Sequence, residues 1–276
     1  MKTSGTLARA AISALVALGF SLNAQADWQS VYSNDFNGGM SAQVSGGGFL
    51  KSVSGYAGVG QQGNQFSGQY LVNDTGCYNF RCNSLTAPSV PTTLTLTNLP
   101  AHTAISLSFL LAIRDSWDGS YYAPNPRMEF ANHDYFNVSV DGVRLFSETF
   151  TTWPDANYVQ SYVAPTGGLL TPIARNYDGN AYLDDAYDMG LDPRFQSIAH
   201  SGSTLTISFW ADGSGWQGRT NGNPSCVSDN CSDESWGIDN LRVSILAAPV
   251  PEPESAAMML AGLAVLGTLS RRRRAG

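Results

Sequence analysis

Ile105, Leu107, Phe109, Leu111 and Ile113 are apolar at every second position of one run. A period of two places all five on one face of an extended strand, whereas a helix would scatter them around its axis. The alternation returns in Thr92–Leu99, where Thr alternates with Leu, and in the triplets Phe136/Val138/Val140, Leu205/Ile207/Phe209 and Leu241/Val243/Ile245. Asp141-Gly142 is a hairpin turn leading into Val143–Phe150. Trp28–Asp35 is a further short strand that ends at Asn37-Gly38-Gly39, and Ser45–Gly68, rich in Gly, Ser and Gln, suits short strands and loops. Thr151–Pro193 carries aromatic, Gly, Pro and Asp residues without a period and reads as a long loop region. No long segment away from the termini has a helical repeat. The expectation is an all-β chain, a jelly-roll-like antiparallel β-sandwich whose apolar first and last strands pair with each other.

Both ends read as processing signals. Lys2 and Arg9 precede the small-apolar run Ala10–Leu22 and then Ala24-Gln25-Ala26, the three parts of a cleaved signal peptide, so residues 1–26 are set apart and the mature chain is expected to begin at Asp27. At the other end stand Pro251-Glu252-Pro253, an apolar block Ala256–Leu269, and Arg271, Arg272, Arg273 and Arg274. The block is shorter than the ~20 residues that span a bilayer comfortably, and the arginines hold their end in the cytoplasm. Those three parts, in that order, resemble the PEP-CTERM sorting signal of exopolysaccharide-producing Gram-negative bacteria. The resemblance implies a short C-terminal transmembrane sorting helix within 249–276. It also implies a transient stay in the inner membrane and an exosortase partner that cuts near Pro-Glu-Pro. The sandwich then occupies 27–248, destined for the cell surface, the extracellular matrix or the medium.

Between the two signals, Asp27–Val250 holds 20 acidic and 9 basic residues, a formal charge of −11, with Lys51 the one lysine. A surface this acidic excludes nucleic acid as a partner, which requires basic patches, and favours divalent cations. Four cysteines form two C-x4-C pairs, Cys77/Cys82 and Cys226/Cys231. An even count in an exported chain points to disulfides, with three connectivities open and two local six-residue loops the simplest. A zinc site usually has C-x2-C spacing.

The acids fall at strand ends. Asp115 continues the inward face of Ile105–Ile113, and Asp134 has the parity of Phe136, Val138 and Val140; if these two strands are antiparallel neighbours, both acids lie at one end of the sheet. Asp35 ends the first strand and Asp239 begins the apolar part of the last. Carboxylates converging at a sandwich edge suit Ca²⁺, which takes 6–8 oxygen ligands. Asp35, Asp115, Asp118, Asp134, Glu234, Asp239 and Asn240 are therefore candidate ligands of a structural Ca²⁺. Turn capping, as at Asp118-Gly119 and Asp141-Gly142, is the competing role. Trp236 and Ile238 have the opposite parity to Leu241 and Val243, so a bulge at Asp239-Asn240 is expected to bring both pairs inward. Asp178, Asp184, Asp185, Asp188 and Asp192 lack EF-hand order and read as a solvated loop.

The motifs T-L-T-L-T-N-L-P-A-H-T from Thr93, R-D-S-W-D-G from Arg114, D-Y-F-N-V-S-V-D-G from Asp134 and D-E-S-W-G-I-D-N-L-R-V from Asp233 resemble the extracellular β-sandwich domain of a group of PEP-CTERM and related exported proteins. The resemblance spans about Thr92–Ile245 and implies architecture and address, without a reaction. No G-x-S-x-G elbow is present. His133 beside Asp134 is the one pair placed for acid–base work, and His102 sits in a turn. A glycan-active hydrolase built on Glu129, Glu148 or Glu234 is the alternative to a structural, adhesive role. Trp117 and Trp236 read as plugs of the sandwich edge. Trp153 and Trp216, flanked by Gly, Pro and polar residues, are candidate platforms for an extracellular polysaccharide.

Overall fold

In the computed structural model, two fourteen-residue strands, β8 (His102–Asp115) and β16 (Glu234–Ala247), pair antiparallel as the spine of the larger sheet. The structure describes residues 27–74, 89–115, 117–121, 133–152, 158–171, 184–213, 216, 234–248, 258 and 260–266. Each spine strand serves two shorter partners along its free edge. β14 (Ile198–Ala199) and β13 (Asp185–Asp188) line β8, while β1 (Trp28–Asn34) and β6 (Gln69–Asn73) line β16, with β3 (Phe49–Ser52) beyond β6. The first strand thus pairs with the last, Trp28 opposite Leu246.

The second sheet has the order β11 (Val143–Thr149), β10 (Tyr135–Val140), β15 (Thr204–Asp212), β7 (Thr92–Thr97), β2 (Val44–Gly46), all antiparallel. Two short ribbons complete the described strands, β4 (Gly60–Gln61) with β5 (Asn64–Gln65) and β9 (Ser120–Tyr121) with β12 (Tyr158–Val159). The chain passes between the sheets as it runs, in the manner of a jelly roll. Asp27–Ala248 form one unit; the second comprises Met1–Ala26 and Pro249–Gly276, of which positions 258 and 260–266 are described, as helix. Among the described residues no helix is long and apolar enough to cross a membrane.

The alternating residues do what their period dictates. Ile105, Leu107, Phe109, Leu111 and Ile113 of β8 meet Phe136 and Val138 of β10 and Leu205, Ile207 and Phe209 of β15 in one core. Phe136 anchors it, with Phe209 at 6.4 Å and Trp236 at 5.1 Å between ring centroids. Burying each such side chain contributes about 1.5–3 kcal/mol. Trp117 and Trp236 are both fully buried.

A second layer covers the outer face of the larger sheet. Leu110 and Ala112 of β8 point away from the sandwich core and are buried under Tyr56, Phe66 and Tyr70, whose rings pack 5.2–6.0 Å apart. Gly237 is required here, since a Cβ at that position would lie 2.5 Å from the Tyr70 ring. The unbroken apolar run Leu110–Ile113 is the sequence signal of this two-sided burial.

The bulge in β16 is present. The register slips between Asp239 and Arg242 opposite Leu110 and Ser108, and Asn240 has φ 51°. Asn tolerates that left-handed conformation better than other residues with a side chain. Trp236 and Ile238 before the bulge and Leu241, Val243 and Ile245 after it all enter the sandwich core.

Two expectations need correction. β8 and β10 are not neighbours: they lie in opposite sheets, so their ends meet across the mouth of the sandwich. The region 151–193 is not simply a long loop, because its described part contains β12, β13, a 3-10 turn Met189–Leu191 and the short helix α1 (Pro193–Gln196). Nor are its acids solvated, since Asp184, Asp185, Asp188 and Asp192 are all buried. Asp188 caps the 3-10 turn at Gly190 N and accepts from Asn64 Nδ2, while Asp192 caps α1 and pairs with Arg194 at 2.8 Å. Buried carboxylates are sustained by such partners. Asp178 lies outside the described residues.

Candidate functional site

Three carboxylates from three separate segments converge at one edge of the sandwich. Asp118 follows β8, Asp134 precedes β10, and Glu234 opens β16; one oxygen from each lies within 4.8 Å of the others. The local backbone explains the meeting. Asp115 takes φ 68° at the end of β8, and Trp117 N then donates to Asp115 O, which turns the chain back on itself. Asp118 forms a bridge with Thr151, and its N–H donates to Asp134 Oδ2. The Trp117 indole N–H donates to Ser235 O at 2.9 Å and so ties this turn to the start of β16. Asp134 and Glu234 are buried and Asp118 is half-buried.

This donor set fits a hard cation. Oxygens bound to Ca²⁺ at about 2.3–2.6 Å are themselves separated by up to about 5 Å. Buried carboxylates this close repel one another, and positive charge among them relieves the repulsion.

The seven candidate ligands do not form one site. Asp118, Asp134 and Glu234 come together. Asp115 pairs with Glu234 across the ladder, but its Oδ2 accepts from Ser235 Oγ and its N–H donates to Asp184 Oδ1. Asp239 lies five residues further along β16, about 16 Å at ~3.3 Å per residue. It is buried beneath a separate cleft of about 780 Å³ whose lining includes Asp35 and Asn240. The sequence grouped Asp35 and Asp239 with the acids at the end of β8 and the start of β10; in the structure the bulge at Asp239-Asn240 leaves both at this separate cleft instead. Gln65, Ser67 and Arg242, which also line this cleft, were not singled out from the sequence. They belong to a Gly/Ser/Gln loop and a strand whose polar positions carried no period.

Two of the buried acids are pushed well above the ordinary carboxylate range. Burial pushes the Asp239 carboxyl up to about 7, aided by the Asp35 charge and opposed by N–H donation from Asn240 and Ser67. Burial likewise pushes Asp185 up to about 7, opposed by the Thr171 and Tyr187 hydroxyls and aided by Asp184. Unfolded, both ionise near 3.8. Between that value and about 7 the folded state holds protons that the unfolded chain has lost, so stability falls as pH rises through this window. Melting scans are expected to give a higher Tm at pH 5 than at pH 8, with each acid worth on the order of 2 kcal/mol. The Asp185→Asn, Asp239→Asn double variant is expected to flatten that difference; an undiminished difference would show that other groups cause it.

The remaining candidates are spoken for or buried. His133 Nδ1 bonds Ser120 Oγ at 3.0 Å, while Asp134 Oδ2 accepts from Asp118 N. His102 Nδ1 donates to Pro100 O, and its Nε2 meets Nδ1 of His200, whose Nε2 lies 3.1 Å from Asp141. Glu148 is held by Arg194 at 2.6 Å and by Ser161, and Arg194 also covers the Phe146 ring at 4.3 Å. Trp216 is not an exposed platform: it is 1% exposed and packs edge-on against Trp117 at 5.3 Å. Trp153, Glu129, Cys77, Cys82, Cys226, Cys231, Pro251, Glu252, Pro253 and Arg271–Arg274 lie outside the described residues.

Comparison with known proteins adds the following. A search of curated proteins returns no match. Among solved structures, the chain is similar to the K3 cleaved adhesin domain of Lys-gingipain (Kgp) from Porphyromonas gingivalis W83, at 12% identity and a TM-score of 0.35, covering 78% of this chain and 99% of that one. It is also similar to the K1 cleaved adhesin domain of the same protein, at 12% identity and a TM-score of 0.33, covering 77% and 96%. Residues 249–274 match the family model of the PEP-CTERM protein-sorting motif. The chain thus carries a PEP-CTERM sorting motif, which marks it as an exported protein sorted through the membrane by an exosortase.

Proposed function

We propose that this protein is a structural, adhesive component of the Gram-negative cell surface or exopolysaccharide matrix, that it holds polysaccharide without cleaving it, and that Ca²⁺ stiffens one edge of its sandwich. The observation that carries the reading is the sorting motif at 249–274, which delivers the attached β-sandwich to the outside. Asp118, Asp134 and Glu234 would hold the ion. Its charge would draw together three segments far apart in sequence, at the mouth where the two sheets meet. Two local disulfides, Cys77–Cys82 and Cys226–Cys231, would pin loops of an exported chain in the same way. The arrangement of Glu148 supports the non-enzymatic reading, because a carboxylate held by Arg194 is poorly placed to act as an acid or nucleophile.

The test is co-sedimentation of the processed protein with surface polysaccharides of the producing cell, with reducing ends measured in the same tubes. At least one polysaccharide is expected to carry the protein down with no new reducing ends. Steady release of reducing sugar would make the protein a glycan-active hydrolase instead, and absence of binding to all of them would remove the adhesive role.

A further inference from the structure

We propose that the cleft beside the Asp239-Asn240 bulge is a saccharide-binding site that takes a pyranose residue of a polysaccharide chain; this deepens the adhesive reading and rests on it. The cleft lies between the turn that follows β1 and the bulge of β16, and its volume of about 780 Å³ falls in the range of ligand pockets. Its chemistry is polar. Asp35, Gln65, Asn240 and Arg242 line it, and Met40, 42% exposed, is its one large apolar side chain. An apolar ligand therefore finds little to bury against.

The internal hydrogen bonds determine which atoms face a ligand. Asn240 Nδ2 donates to Gln65 O at 3.0 Å, and Gln65 Nε2 donates to Gly58 O at 2.8 Å. Both amide nitrogens are thereby engaged, which leaves Oδ1 and Oε1 as the acceptors of these two side chains. Asp35 Oδ1 accepts from Asn37 N at 3.1 Å, which leaves Oδ2. With Arg242, which also lines the cleft, the site combines three oxygen acceptors with a cationic side chain. A simple anion meets Asp35 and a simple cation meets Arg242. Vicinal hydroxyls both donate and accept, so they match the whole set.

The frame is also rigid. Asp239 lies behind the cleft and accepts from Asn240 N at 2.7 Å and Ser67 N at 3.1 Å, binding the bulge to the facing loop. A buried carboxyl and a left-handed Asn both cost stability. Together they hold Asn240 and Gln65 in one geometry, which lowers the ordering cost of binding.

Gly38 provides a direct test. It lines the cleft, its backbone is not in the left-handed region, and a Cβ there meets nothing within 4 Å. Gly38→Phe is therefore expected to fill the cleft without straining the fold. The processed protein would be applied to a glycan array carrying neutral hexose, uronic-acid and N-acetylhexosamine oligosaccharides. Wild type is expected to bind at least one class, and Gly38→Phe and Arg242→Gln to weaken that binding at least about tenfold, equivalent to 1.4 kcal/mol. Val163→Ser, at an 85% exposed position outside the cleft, is the control expected to bind as wild type. Arg242→Gln alters an exposed side chain and keeps the test valid if Gly38→Phe misfolds. Glycan binding that survives both cleft substitutions overturns the cleft assignment and leaves the adhesive reading standing. No binding by wild type overturns both.

Discussion

Millimolar Ca²⁺ is expected to raise the melting temperature of the processed protein by roughly 5–10 °C over its value in EDTA. A ligand at a hundredfold excess over its Kd stabilises the native state by about 2.7 kcal/mol. For a domain of 150–250 residues each kcal/mol moves Tm by roughly 2–4 °C. Asp134→Asn and Glu234→Gln should each abolish most of the shift, because each removes one of the three described carboxylates whose oxygens lie within 4.8 Å of one another. Asp239→Asn should keep it, since Asp239 lies about 16 Å along β16 from Glu234. This contrast makes the experiment specific to position as well as to charge. A wild-type Tm unmoved by Ca²⁺ would sink the proposal. So would a shift that persists in both Asp134→Asn and Glu234→Gln, because the ion would then be bound elsewhere.

Replacing Trp216 with Ala is expected to cost about 3–5 kcal/mol, the usual loss for a large aromatic removed from a core. The indole is 1% exposed and forms an edge-on pair with Trp117 at 5.3 Å. Trp117 in turn packs edge-on against Phe150 at 6.2 Å and hydrogen-bonds Ser235 O. Loss of the pair geometry adds about 0.5–1.5 kcal/mol beyond the lost area. Chemical denaturation should show a lower midpoint at unchanged slope. Trp117 also carries the turn that sets Asp118 beside Asp134, so Trp216→Ala should weaken the Ca²⁺-dependent shift as well. A variant within about 0.5 kcal/mol of wild type would instead put Trp216 on the surface, where substitutions have effects of that size.

Trp216 also shows where a sequence argument reaches its limit. Its neighbours Gly213, Ser214, Gly215 and Gln217 suggest a solvent-facing loop. Composition reports what the backbone beside a residue prefers, and it does not report what a distant segment places over the side chain. The acids Asp184, Asp185, Asp188 and Asp192 misled in the same way. Four carboxylates in nine residues suggest a solvated loop, yet each is buried, because β13 pairs with β8 and Asp188 and Asp192 cap the turn and helix that follow.

The sequence by itself determined three things: the strands, the address and the bulge. Period-two alternation is local and strand faces follow from it directly, which is why the inward faces of β8, β10 and β15 and the pairing of the first and last strands could be anticipated. The sorting motif is contiguous, so it too is complete in the sequence. The parity break between Ile238 and Leu241 required an extra residue at Asp239-Asn240. Tertiary structure alone decided which acids meet. Asp118, Asp134 and Glu234 join because β8 and β10 lie in opposite sheets and their ends face each other across the sandwich. Asp35 and Asp239 lie elsewhere because the bulge that returns Leu241 to the core leaves Asp239 beneath a cleft. Convergence of side chains depends on strand order and sheet assignment, which are properties of the whole chain and leave no local trace.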